Sequence, residues 1–188
     1  MIAPAPIIRT DCLLVVTVTQ LPDALQLRYE VTNTSGQPLY LFNKLARAGG
    51  ASVFDTDPNA ANIILSPERV TVSKTLVPVP DDKEVERPYV PCLSRLLPNE
   101  KLAEHMLLAT PLSPFTWYAS RPMRTAPVHR ALFFEMGYVV ASAEVERYIQ
   151  PLSTPYGQVY TASWFPLELQ ETILSGPLLP EALVFSAR

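Results

Sequence analysis

The sequence predicts a mainly β protein, an antiparallel β-sandwich with long proline-rich loops and one or two short helices. Three observations carry that expectation. Leu25, Leu27, Tyr29 and Val31 alternate with Gln26, Arg28, Glu30 and Thr32, so a strand here has one apolar and one wet face. Leu132, Phe134, Met136, Tyr138 and Val140 repeat that period late in the chain. Twenty prolines are spread over 188 residues. Proline is excluded from helix interiors and central strands, so the elements must be short and joined by stiff connections.

The elements follow in order. Cys12 to Gln20 is rich in Val and Thr and reads as a first strand. Pro22-Asp23 turns the chain into the Leu25–Thr32 strand. Asn33-Thr34-Ser35-Gly36 supplies residues that bond locally or accept positive φ. A further strand is expected over Leu39–Leu45, broken by Ala48-Gly49-Gly50. Short apolar pieces follow at Val53-Phe54 and Ile63-Ile64-Leu65. Val70, Val72 and Leu76 alternate with Thr71, Ser73 and Thr75, leaving Lys74 as a misplaced polar residue. Pro78 to Pro88 is a charged, proline-bounded loop. Leu93–Leu97 and the stretch holding Leu102, Met106 and Leu108 are two more strands.

Pro111 to Ala131 is the longest segment read as irregular. Gly137, inside the second clean alternation, suggests a bulge. Val145, Tyr148, Ile149 and Leu152 lie at helical spacing, so a short helix competes with a strand there. Tyr156 to Phe165 returns to β character. Pro166 to Leu174, closed by Gly176-Pro177, has a proline start and a glycine stop and reads as a short helix.

At 188 residues, 1–188 is expected to be a single elaborated sandwich domain. Charged residues are 18% and the net charge is −3, which gives nucleic-acid binding no electrostatic support. Sparse charge favours a protein partner or self-association into a homo-oligomer. No apolar run approaches the roughly 20 residues of a membrane span. Met1 to Thr10 lacks a basic start and an unbroken apolar core, so no signal peptide is visible. A cytoplasmic location is expected, with leaderless export left open. Cys12 and Cys92 read as free thiols in preference to an inter-sheet bridge.

The run Tyr29-Glu30-Val31-Thr32-Asn33-Thr34-Ser35-Gly36-Gln37-Pro38-Leu39 resembles the strand–turn–strand motif of bacterial immunoglobulin-like domains. It is similar to that of the intracellular proteinase-inhibitor family and of other bacterial sandwiches. Arg95-Leu96-Leu97-Pro98-Asn99-Glu100 is similar to the L-x-P-G-E turn before a late strand there, with Asn99 in place of glycine. The resemblance implies an immunoglobulin-like topology. It carries no reactive-loop motif, so protease inhibition is an alternative by analogy alone.

Motifs of chemistry are sparse. Asp55-x-Asp57-x-Asn59 resembles the start of a calcium loop, but Ala60 and Ser66 stand where such a loop needs Gly and Glu. A polar turn is expected instead. His105 and His129 have no second ligand at zinc spacing. There is no nucleophile elbow, phosphate loop or dinucleotide fingerprint. No enzyme activity, cofactor or metal is expected.

The stretch from His105 to Phe134 differs from the rest. It has no acidic residue, yet carries Arg121, Arg124 and Arg130 with Phe115, Trp117 and Tyr118. These types are enriched at binding hot spots. The expectation is a non-enzymatic module that binds or scaffolds another protein through the 113–130 loop, with Trp117, Tyr118, Arg121 and Arg124 as binding residues. A small-ligand pocket using the same loop is the other alternative. The plainer reading is that these aromatics plug one end of the core.

Overall fold

The computed structural model describes residues 7–48, 52, 54–119, 126–154 and 157–186. In chain order the strands are β1 (Ile7–Ile8), β2 (Cys12–Gln20), β3 (Ala24–Asn33), β4 (Leu39–Lys44), β5 (Asn62–Leu65) and β6 (Arg69–Lys74). They continue as β7 (Cys92–Leu96), β8 (Lys101–Ala109), β9 (Pro127–Val140), β10 (Gln150–Thr154), β11 (Gly157–Thr161) and β12 (Glu171–Phe185). They form a sandwich of a four-stranded sheet, β1-β2-β3-β8, and an eight-stranded sheet, β10-β11-β7-β4-β9-β6-β5 with β12 on β9.

The first alternation does what its period predicts. Leu25, Leu27, Tyr29 and Val31 are buried, together with Cys12, Leu14 and Val16 of β2 and Met106 of β8. They meet Leu39, Leu41, Val70, Val72, Leu132, Phe134, Met136 and Tyr138 from the larger sheet in one core. The Tyr29 and Phe134 rings stack across the two sheets with centroids 5.0 Å apart.

The larger sheet is covered on both faces around β4, β7 and the C-terminal end of β9. Tyr40, Phe42, Leu93 and Val139 point away from the main core into a second cluster with Val145, Ile149 and Phe165. That is why β4 reads as an unbroken apolar run rather than an alternation.

Strand β9 organises the larger sheet. Tyr138 pairs with Leu41 of β4 on one side and Glu171 of β12 on the other. Farther along, β6 takes the place of β4 and runs parallel to β9 from Arg69↔Ala131 to Lys74↔Met136. The expectation of a purely antiparallel sandwich is therefore corrected to a mixed sheet. A parallel pair needs a long crossover, and β7 and β8 lie in the chain between β6 and β9.

Other expectations also shift. Residues 166–174 are not a helix. Leu167–Leu169 form one 3-10 turn, and Glu171 already starts β12. Ladder pairing of Thr172, Ile173 and Leu174 with β9 outweighs the local helix signals. Gly176 sits inside that strand at φ 148, where the register against β9 shifts. A second 3-10 turn covers Val145–Arg147, and β10 follows it, so both competing readings of this stretch occupy successive residues. Strand β9 begins at Pro127 rather than Leu132, because Ala182–Phe185 pair with its first residues.

Gly137 marks no bulge, since its register is continuous with its neighbours. A Cβ there would stand 2.4 Å from Gln170 Oε1. The Gln170 amide reaches across to accept from Leu76 N–H at 2.7 Å and donate to Leu76 O at 3.1 Å. Only glycine leaves room for that bridge.

The turns after β3 and β7 cross between the sheets, and they bind each other. Asn33 is fully buried. Its Oδ1 accepts from Ser35 N–H at 2.9 Å, and its Nδ2 donates to Gln37 O and Leu96 O at 2.8 and 2.9 Å. Its backbone exchanges bonds with Glu100 and Asn99, each at 3.0 Å. Asn99 adopts φ 66, the left-handed conformation for which glycine is the usual choice and Asn the best substitute.

Candidate functional site

Trp117 stands on a loop anchored at several points. Leu112 N–H donates to Leu183 O at 2.8 Å, and Phe185 N–H donates to Leu112 O at 2.9 Å. Phe115 and Ile63 exchange backbone bonds of 3.0 and 2.7 Å. A turn then closes through Ala119 N–H on Thr116 Oγ1 at 3.1 Å. The indole is thereby held against Tyr89, with ring centroids 3.8 Å apart and planes 14° from parallel.

Tyr89 is fixed from both ends. Its hydroxyl accepts Ala46 N–H at 2.6 Å, and its own N–H donates to the Tyr118 hydroxyl at 2.7 Å. Tyr89 and Tyr118 are buried in a small cluster with Ala46, against which Val77, Val79 and Trp117 pack. Burial pushes both phenols above their ordinary pKa. They are neutral hydrogen-bonding struts at physiological pH. Tyr118 therefore acts from behind the surface, while Trp117 is half-buried at it.

The stack separates two hollows. The larger of the two, about 340 Å³, is lined by Trp117 and Tyr89 with Phe54, Arg87, Tyr148 and Gln150, and by Thr161 at the end of β11 with Ala162 and Ser163 just beyond it. The smaller, about 280 Å³, lies across the stack beside Arg47, Asp57, Asn59 and Phe115. Phe54 is 46% exposed at the larger hollow. Tyr148 packs edge-on against Trp164 at 5.4 Å, and Trp164 is 49% exposed. An apolar strip thus continues beyond the hollow itself.

Of the residues expected to bind, Trp117 lines both hollows and Tyr118 supports them. Arg121 and Arg124 lie outside the described residues. Sequence reasoning missed Phe54, Arg87, Tyr89 and Tyr148. Arg87-Pro88-Tyr89 closes the charged loop, and a Tyr there was the available signal. The Asp55–Asn59 stretch is the polar turn expected of it. Asp57 Oδ1 accepts Asn59 N–H at 2.9 Å, and Asn59 Oδ1 accepts Leu107 N–H on the β8 edge at 2.7 Å.

A second constellation lies inside the sandwich. Lys74 is fully buried and donates to Asn43 O at 3.0 Å and Pro58 O at 3.1 Å. Glu104 accepts from Lys44, from the Tyr29 hydroxyl and from Asn43 Nδ2. Burial lowers the Lys74 ammonium to about 8, against the opposing pull of Glu104. Burial alone would raise the Glu104 carboxyl, yet the Lys44 and Tyr29 hydrogen bonds and the two ammonium charges hold it below its ordinary value. Lys74 lines neither hollow; the cluster ties β4, β6 and β8 together, with Lys44 and Glu104 half-buried at its outer end.

Cys12 and Cys92 are free and buried, and burial pushes the Cys12 thiol up to about 11. His105 and His129 are exposed. Among the described residues no group of three or more His, Cys, Asp or Glu is placed to hold a metal. None of their helices is long and apolar enough to cross a membrane. Comparison with family models, with curated proteins and with solved structures finds no match to this chain.

Proposed function

We propose that the protein is a non-enzymatic binding module that holds a partner protein in the hollow beside the Tyr89–Trp117 stack. The observation that carries this reading is an aromatic surface braced for contact. Trp117 is pinned by its loop and by a buried tyrosine, while Phe54 and Trp164 stay half-exposed nearby. Rigid aromatics lose little conformational entropy on binding and fill most interface hot spots. A hollow of about 340 Å³ is at the small end of ligand pockets. The exposed apolar surface around it supports a protein partner over a small molecule.

Photocrosslinking tests the reading. Phe54 is replaced by benzoylphenylalanine, and the full chain is irradiated in an extract of its own cells. The same substitution at Ile8, an exposed residue on the far edge of the four-stranded sheet, serves as control. The expected result is a discrete adduct from position 54 that maps to one segment of one partner and disappears with Trp117→Ala. Identical adduct patterns from both positions would refute it.

A further inference from the structure

Among the described residues, Arg87 is the only charged side chain lining the larger hollow, and no acidic one lines it. Arg87 is exposed and forms no ion pair with any described residue. Glu84 and Glu86 precede it in the chain but do not line the hollow. Gln150, Thr161 and Ser163 add neutral hydrogen-bonding groups to its margin. The described part of the site therefore joins an aromatic floor to an uncompensated guanidinium.

Resting on the binding reading above, we propose that the occupant is an extended protein segment in which a large apolar or aromatic side chain is flanked by a carboxylate. The anchor packs on Trp117 and Tyr148. The carboxylate takes Arg87 in the two-point geometry that a guanidinium fork presents. A basic flank finds no counter-charge in the lining and meets Arg87 as a like charge, which selects against it. The strip beyond the rim, Phe54 on the hollow and Trp164 against Tyr148, offers a main chain more surface than a small aromatic acid covers.

The test uses the full chain and fluorescein-labelled, terminally blocked heptapeptides with a central Phe flanked by Glu, Gln or Lys, read by anisotropy. Glu-flanked peptides are expected to bind at least roughly tenfold tighter than Lys-flanked ones, with Gln between. Raising the salt should narrow that gap. Arg87→Glu should reverse the order, while Trp117→Ala weakens all three peptides. Binding blind to the flanking charge but lost in Trp117→Ala would overturn this inference and leave the binding reading standing. Phenylacetate competing as tightly as the Glu-flanked peptide would make the occupant a small acid and overturn it as well. No binding by any peptide, or binding unaffected by Trp117→Ala, would overturn both.

Discussion

Lys74→Met is the sharpest probe of the buried ionic cluster. The folded state lowers the Lys74 ammonium to about 8 from the 10.5 of an exposed lysine. One unit is worth about 1.4 kcal/mol, so below pH 8 the folded state bears a charge-burial penalty of about 3 kcal/mol from this residue. A lysine lowered on folding costs stability at low pH and returns it as pH rises, because the unfolded chain then binds more protons than the folded one. Between pH 7 and pH 9 the wild type recovers about 1 kcal/mol from Lys74 by this linkage. Met fills the same slot without a proton to release.

The measured quantity is the stability difference between wild type and Lys74→Met, from urea unfolding at pH 7, 8 and 9 under reductant. Wild type should gain on the variant by about 1 kcal/mol over that range. Other groups drop out of the comparison. The Cys12 thiol, raised to about 11, costs stability above pH 9 in both proteins. The difference at one pH mixes the burial penalty with the lost bonds to Asn43 O and Pro58 O, so the pH dependence is the clean readout. A difference that stays constant from pH 7 to 9, or moves the other way, would refute the reasoning.

Four further outcomes follow. Glu104→Ala leaves Lys74 and Lys44 without their carboxylate and should cost about 3–5 kcal/mol. Because the folded Glu104 carboxyl is lowered, wild type should also lose, as pH falls below about 4.5, a stabilisation the variant never had. Asn33→Ala takes its side-chain donor from the buried Leu96 carbonyl and one of two side-chain donors from the Gln37 carbonyl, and should cost about 1–3 kcal/mol in urea unfolding. Gly176→Ala places a Cβ 2.6 Å from the Phe133 ring at φ 148. At about 2 kcal/mol the melting temperature should fall by roughly 4–8 °C. Tyr118→Phe removes the acceptor of Tyr89 N–H. It should cost about 1–2 kcal/mol and weaken binding at the hollow without altering any contact to the ligand.

The strands with a single buried face were legible in the sequence. Leu25–Val31 and Leu132–Tyr138 each read correctly because a side chain's face depends only on the parity of its position. Asn33 and Asn99 were readable as turn residues, since the preference for local bonds and left-handed φ is intrinsic to Asn. Their mutual pairing was not, because it joins residues far apart in the chain. Strand β12 was misread where long-range ladder bonds outweigh weak local helix signals. Lys74 looked misplaced because nothing nearby announces that Asn43 O, Pro58 O and Glu104 converge on it.

The candidate site divides in the same way. The sequence by itself determined a β-sandwich and drew attention to Trp117 through its acid-free, aromatic neighbourhood, properties that belong to neighbouring residues. Only the tertiary structure decided that β6 runs parallel to β9 and that Tyr89 is the partner of Trp117. It also decided that Tyr118 faces inward and that Arg87 faces the hollow. Those outcomes turn on which distant segments share space when two sheets close on one core, and no local period encodes that choice.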